Sequence, residues 1–243
     1  LRPRSGGGMR LLALDTATEC CSVALWEDGA VQTREQQAER GHGAHILNMI
    51  DEVLATAGWS LGSLDAIAFG RGPGAFTGLR LAASLTQGLA YAAGLPVIPV
   101  SDLRALAQQA FTAPHRPTRA LACLDARMGE VYWAGFECVE SYARAATAEA
   151  VAGPESAIAA ARLWLDGRSA AGAGSGYLAH PQLASAFSPP LQPILGRLAP
   201  HAREIAALAA HDGLALAVPA EQALPVYLRD NVALIPGQAP PVA

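Results

Sequence analysis

The sequence predicts an α/β protein built from two similar lobes. Three observations lead there. A unit of strand, acidic turn and strand occurs twice, as Leu11-Leu12-Ala13-Leu14-Asp15 followed by Val23-Ala24-Leu25-Trp26, and as Leu121-Ala122-Cys123-Leu124-Asp125 followed by Val131-Tyr132-Trp133-Ala134. Glycine-rich turns sit where a short apolar run gives way to a helical pattern. Apolar runs of strand length alternate with segments of helical periodicity, the order that places helices on mixed sheets.

The elements follow in order. Residues 10–14 and 23–26 read as strands around Asp15-Thr16-Ala17-Thr18, and Asp28-Gly29 turns the chain into a third strand at 30–33. Residues 44–57 are helical, with Ile46, Ile50, Val53 and Ala57 on one stripe and Leu47 and Leu54 beside it, and Gly58 ends the helix. A strand at 65–69, a glycine-rich turn at 70–78, a helix at 79–93 closed by Gly94 and a strand at 97–100 follow, and Ser101 is placed to cap a helix reaching about Phe111. Residues 112–118, with two prolines, read as a linker. The first pattern then returns, a further glycine turn follows a weak strand at 172–176, and 200–210 is a helix. This predicts one lobe over 9–112, joined by the C-terminal segment 213–235, and a second over 113–212. Residues 1–8 form a flexible extension ahead of a natural start at Met9, and 236–243 a disordered tail. The competing reading of the repeat is that any two hairpins look alike in sequence.

Composition narrows the chemistry. All 17 basic side chains are arginine, so a phosphate-loop lysine, a Schiff-base lysine and a lysine general base are excluded. Charged residues make up 16% of the chain, against the roughly 25% usual in soluble domains, so uncharged surface needs a partner or some other cover. A net charge of −4 with scattered arginines argues against a free-standing nucleic-acid binder. No run approaches the roughly 20 apolar residues of a membrane span, and four cysteines without metal or disulfide spacing suit a reducing cytoplasm.

Duplicated lobes whose first strands turn at an aspartate are the plan of the actin, sugar-kinase and Hsp70 superfamily, which holds ATP between its lobes. In that plan Asp15, Thr16, Gly72, Gly74, Thr77, Asp125 and Gly174 are the nucleotide-binding candidates, the aspartates for magnesium and water and the glycine N–H groups for phosphates. Bulky Phe76 sits where phosphate approach would require small residues, so a tight strand-to-helix turn is the competing reading of 70–78.

Four motifs carry a more specific resemblance: Leu-Asp-Thr-Ala-Thr at 14–18, Gly-Arg-Gly-Pro-Gly-Ala-Phe-Thr-Gly at 70–78, Asp-Ala-Arg-Met-Gly-Glu-Val-Tyr at 125–132 and Pro-Val-Tyr-Leu-Arg at 225–229. In this order, spread over residues 9–233, they resemble the bacterial TsaB (YeaZ) family. The resemblance implies a duplicated actin/sugar-kinase/Hsp70-like (ASKHA) fold. It also implies a non-catalytic scaffold or activator that binds TsaD, with TsaE, for threonylcarbamoylation of adenosine 37 in tRNAs reading codons that begin with A. No cofactor of its own is implied, only ATP or ADP and Mg2+ in the assembled complex. A homodimer is implied when TsaD is absent, and tRNA contact only within the complex, through arginines such as Arg119 or Arg127. Two other functions stand beside this one, an ATP-dependent kinase or ATPase of the same superfamily and a metallo-glycopeptidase.

The peptidase reading meets an obstacle in the sequence. Where the catalytic relatives run into Asn-His-x-x-x-His, this chain has Ser101-Asp102-Leu103-Arg104-Ala105-Leu106, so Asp102 and Leu106 replace both histidines. His42 and His45 precede a different helix, and no Ser/His/Asp or Cys/His set is spaced for catalysis. An interface argument remains. On helix 79–93 only Arg80, Ser84, Gln87 and Tyr91 make a polar strip, while Ser84, Gly88 and Ala92 form a ladder of small residues that admits a second helix. Leu47, Met49 and Leu54 broaden the apolar face of the helix at 44–57. These three, with Arg80, Leu81, Ser84, Leu85, Gly88 and Ala92, are the expected partner interface.

Overall fold

The computed structural model describes residues 8–37 and 42–229, so the expectations for 1–7 and for 230–243, the predicted tail at 236–243 included, lie outside the described residues. Strands β1 (Arg10–Asp15), β2 (Cys20–Glu27), β3 (Ala30–Gln37), β4 (Ala66–Gly70) and β5 (Val97–Val100) form one sheet in the order β3-β2-β1-β4-β5. β1, β2 and β3 are antiparallel neighbours, and β4 and β5 continue the sheet in parallel. The helices between them are α1 (His42–Ala57), α2 (Phe76–Ala93) and α3 (Asp102–Thr112).

The second half repeats this plan. Strands β6 (Arg119–Asp125), β7 (Val131–Val139), β8 (Tyr142–Ala145), β9 (Ala150–Ala152), β10 (Ala171–Ala173) and β11 (Ile194–Leu195) are accompanied by α4 (Pro154–Leu165), α5 (Gly176–Ala179), α6 (Gln182–Ser185) and α7 (Ala202–Asp212). The sheet runs β8-β7-β6-β10-β11, with β6, β7 and β8 antiparallel and β10 and β11 parallel to β6, and β9 also pairs with β7. Asp15 and Asp125 close equivalent strands. Two sheets of identical order and direction establish the duplicated actin/sugar-kinase/Hsp70-like α/β fold predicted from the repeat.

Sequence signals set the borders of these elements. Gly94 adopts a left-handed conformation and its N–H closes α2 on the Ala90 and Tyr91 carbonyls, as expected of a C-terminal glycine. Ser101 Oγ accepts from Arg104 N at the start of α3. α2 begins at Phe76, three residues before the predicted border, because Gly78 lies inside its first turn rather than ending the loop. β8, β9 and α4 to α6 carry no sequence signal strong enough to have been expected.

The largest core cluster lies between the sheets. It joins Leu11, Ala13 and Ala68 of the first sheet to Ala122, Leu124 and Phe136 of the second through Leu103 and Leu106 of α3 and Ile205 and Leu208 of α7. The alanines let sheets and helices close with little side-chain volume between them. Outside the first sheet, α1 and α2 cover Leu12, Leu14, Val23, Ile67 and Phe69. The C-terminal segment packs on this sheet: Val218 pairs with Val97, and Ala220 and Ala223 are buried in the same cluster.

Candidate functional site

A cleft of about 540 Å³ opens between the lobes. Its walls come from the β1–β2 loop (Ala17, Thr18, Glu19), the glycine turn and the start of α2 (Pro73, Gly74, Ala75, Phe76), the β6–β7 turn (Asp125, Ala126, Arg127), α5 and the C-terminal residues Val226 to Arg229. Of the seven nucleotide candidates, only Gly74 and Asp125 line it. The other five are placed elsewhere, for separate physical reasons.

Asp15 and Asp102 are wholly buried and hydrogen-bonded to one another. Asp15 Oδ1 accepts from Ala17 N at 3.0 Å, and Asp102 Oδ2 accepts from Gly72 N at 2.5 Å. Thr16 Oγ1 donates to the Gly78 carbonyl at 2.7 Å. Gly72 has φ +110°, and a Cβ there would lie 2.7 Å from the Val226 carbonyl oxygen. Gly174 has φ +108° and is pressed on the Cys123 carbonyl and Leu106. These glycines admit the chain's own backbone, which is a packing role. Thr77 is exposed in the first turn of α2, outside the cleft lining.

Three backbone donors around the cleft are engaged within the protein. Ala75 N donates to the Ala17 carbonyl at 2.7 Å, Gly174 N to Leu195 at 3.1 Å, and Asp125 N to Ser175 Oγ at 3.2 Å. Arg127 folds over Asp125, with its backbone N 2.9 Å from Oδ1 and its guanidinium 3.1 Å from Oδ2. It also reaches Glu19 across the cleft at 3.2 Å. The cleft therefore presents an aspartate covered by an arginine. Arg119, the other arginine considered for tRNA, is paired with Glu137 at 3.3 Å.

The position that carries histidines in the catalytic relatives does not fit a metal. Leu106 is buried in the core between the sheets, and Asp102 is committed to Gly72 and Asp15. Among the described residues no group of three or more His, Cys, Asp or Glu side chains is placed to hold a metal ion. All four cysteines are free thiols, and burial pushes Cys20 up to about 11 and Cys21 up to about 12, far from a thiolate nucleophile.

Burial, followed by the neighbouring Asp15 charge, holds the Asp102 carboxyl well above the usual aspartate range, and Arg71 opposes this only in part. The folded state thus keeps a proton there that the unfolded chain releases at lower pH. Stability from this pair is full below the ordinary aspartate range and falls as pH rises through the raised folded value. Asp102→Asn preserves an acceptor for Gly72 N and a donor to Asp15 without titrating. Its melting temperature should fall less than that of the wild type as pH rises above the ordinary aspartate range; parallel curves would refute the shared proton.

The expected interface divides. Met49 and Leu54 are only 6% and 8% exposed and belong to the core beneath the first sheet, a correction that follows from α1 turning that side inward. Leu47 is 44% exposed. On α2, Arg80, Ser84, Gly88 and Ala92 face outward, Tyr91 beside them is 83% exposed, and Leu81 and Leu85 are half-buried at the border. Nothing lies within 4 Å of a Cβ built on Gly88, so the small-residue ladder is open to solvent.

Duplicated lobes of this order around a central cleft place the chain in the ASKHA class. It matches the sequence profile of the family described as "TsaD: tRNA N6-adenosine threonylcarbamoyltransferase" over residues 33–237. It is 43% identical over 230 residues to the Escherichia coli (strain K12) protein named tRNA threonylcarbamoyladenosine biosynthesis protein TsaB, covering 93% of this chain and 96% of that one. The Haemophilus influenzae protein of the same name is 54% identical over 125 residues, 51% of this chain and 52% of that one. The solved structure described as YeaZ from Pseudomonas aeruginosa superposes with a TM-score of 0.77 at 40% identity, over 90% of this chain and all of that one, 100%. The chain belongs to the TsaB (YeaZ) family. Among its described residues no helix is long and apolar enough to cross a membrane.

Proposed function

We propose that this chain acts in tRNA threonylcarbamoyladenosine biosynthesis as a non-catalytic subunit that binds and organises TsaD, with TsaE, for transfer of threonylcarbamoyl to adenosine 37. The observation that carries the reading is the fate of the metal-ligand positions. Asp102 and Leu106 stand there, one tied into a buried carboxyl pair and the other packed between the sheets. A second support is the outward face of α2, whose ladder Ser84, Gly88 and Ala92 lets another helix approach closely. The same face pairs two copies of the chain when TsaD is absent. Transfer assays on tRNA decide the matter. The chain alone should give no product, and TsaD with TsaE should gain at least about tenfold on its addition. Transfer by the chain alone, or equal rates with and without it, would overturn the proposal.

The subunit works in the cytoplasm and meets tRNA only in the assembled complex. ATP or ADP and Mg2+ belong to that complex, since the glycine-turn donors Gly72 N and Ala75 N are already bonded within this chain. Isothermal titration with magnesium-ATP separates this from an ATP-dependent kinase of the same fold. Tight binding by the isolated chain would favour the kinase.

A further inference from the structure

Beyond the core that joins the lobes, contacts at the mouth of the cleft link them in a way that neither the fold nor the family reading requires. After Ala223 the chain leaves the first-lobe core and crosses the mouth of the cleft. Gln87 Nε2 donates to the Ala223 carbonyl at 3.2 Å, and Val226 N donates to the Arg71 carbonyl at 2.7 Å. Tyr227 packs on Phe76 with ring centroids 5.3 Å apart, and its hydroxyl accepts from Arg80 Nε at 3.2 Å. Up to this point every contact is to the first lobe. Arg229 then reaches the second lobe at the β6–β7 turn, where it donates to the Ala126 carbonyl at 3.1 Å, pairs with Glu130 and contacts Met128 Sδ at 3.7 Å.

We propose that residues 224–229 form a strap whose Arg229 latches the lobes around the cleft, and that the cleft opens only when this latch is released. The lateral arrangement favours a latch over a simple tether. The guanidinium is mostly buried, and it joins a carboxylate with a main-chain carbonyl, a charge-assisted pair of bonds more directional than a surface ion pair. The turn that receives it carries Arg127 at φ +61° and Met128 at φ +54°, backbone that non-glycine residues adopt at a cost and that the latch helps to hold. Away from the strap the lobes share the packed core between the sheets and further polar contacts, among them Arg71 with Glu149 at 3.1 Å and Arg127 with Glu19 at 3.2 Å, and, away from the cleft, Arg104 with Asp212 and Ala202 N with Ser22 Oγ at 2.9 Å. Arg71 also supplies the carbonyl that holds Val226, so one residue serves both the strap and a second interlobe pair.

Hydrogen exchange on the intact isolated chain tests the latch, independently of any partner. Arg229→Met keeps most of the stem and removes the donors. Exchange in 224–229 and in the β6–β7 turn should rise together by about tenfold, while Val97 N–H and Val218 N–H, each donating to the other residue's carbonyl within the first lobe, stay protected. Glu130→Gln should reproduce part of the effect, and the double variant should add little to Arg229→Met. Small-angle scattering should show a larger radius of gyration for Arg229→Met. Faster exchange confined to 224–229, with the turn and the radius unchanged, would overturn the latch and leave the strap a first-lobe element.

Discussion

Gly88→Arg is expected to abolish association with TsaD while making the isolated chain more stable. The two effects have separate causes. Gly88 is an exposed interior position of α2 with no atom within 4 Å of a built Cβ, so arginine meets nothing in the folded chain and relieves the conformational entropy cost of glycine. That gain is about 1 kcal/mol, equivalent to roughly 2–4 °C in melting temperature for a chain of this size. In a helix-to-helix contact the same side chain would stand in the small-residue ladder, where axes must approach to roughly 8–10 Å. Affinity should fall by at least about thirtyfold, or ~2 kcal/mol, and stimulated transfer should fall with it. Analytical ultracentrifugation with and without TsaD, beside a melting curve, reads both. An unchanged affinity in a stable variant would remove α2 from the interface; a lower melting temperature would show that the open ladder is misplaced.

Gly78→Ala on the same helix is expected to act in the opposite direction. A Cβ there would run into the Thr16 carbonyl, the end of the strand whose side chain hydroxyl in turn donates to the Gly78 carbonyl. Both sides of the contact are backbone. β1 is fixed on both edges by β2 and β4, and α2 by its cover of the first sheet, so neither yields cheaply. The expected loss is about 2–3 kcal/mol, near the top of the usual range for overpacking, or roughly 5–10 °C. Thermal unfolding compared with Gly88→Ala, which should be neutral or stabilising, isolates the close approach from the general effect of removing a helical glycine. A neutral Gly78→Ala would mean that α2 does not sit so close to the β1–β2 loop.

These paired glycines show where sequence reading reaches and where it stops. Within one helix, Gly78 and Gly88 look alike as residues and differ wholly in surroundings. The fold was legible because it rests on short-range signals: the repeated strand–aspartate–strand unit, the helix stop at Gly94 and the serine cap at Ser101 are all written in neighbouring residues. Among the elements without a sequence signal, β8, β9, α5 and α6 are short and take their places from neighbouring strands and the core, while the longer α4 buries Ala157, Ala161 and Leu165 against the second sheet. Periodicity places Met49 and Leu54 on the expected partner interface because it gives the width of an apolar face without saying what covers it. The inner face of α1 packs on β2 and β3, and that sheet covers Met49 and Leu54 as well as the central stripe.

The sequence by itself determined the class, the duplication and the family, since each is a matter of residue type and order. Only the tertiary structure decided where the site residues of the sequence motifs are placed. Asp15 and Asp102 share a buried hydrogen bond although they lie on opposite sides of α1 and α2 in sequence, and Arg229 reaches Glu130 across a full lobe of intervening chain. The physical reason is that burial and pairing depend on which distant segments are brought within a few ångströms. A carboxylate in water and one facing a second carboxylate in the core are the same letter in a sequence and opposite in chemistry.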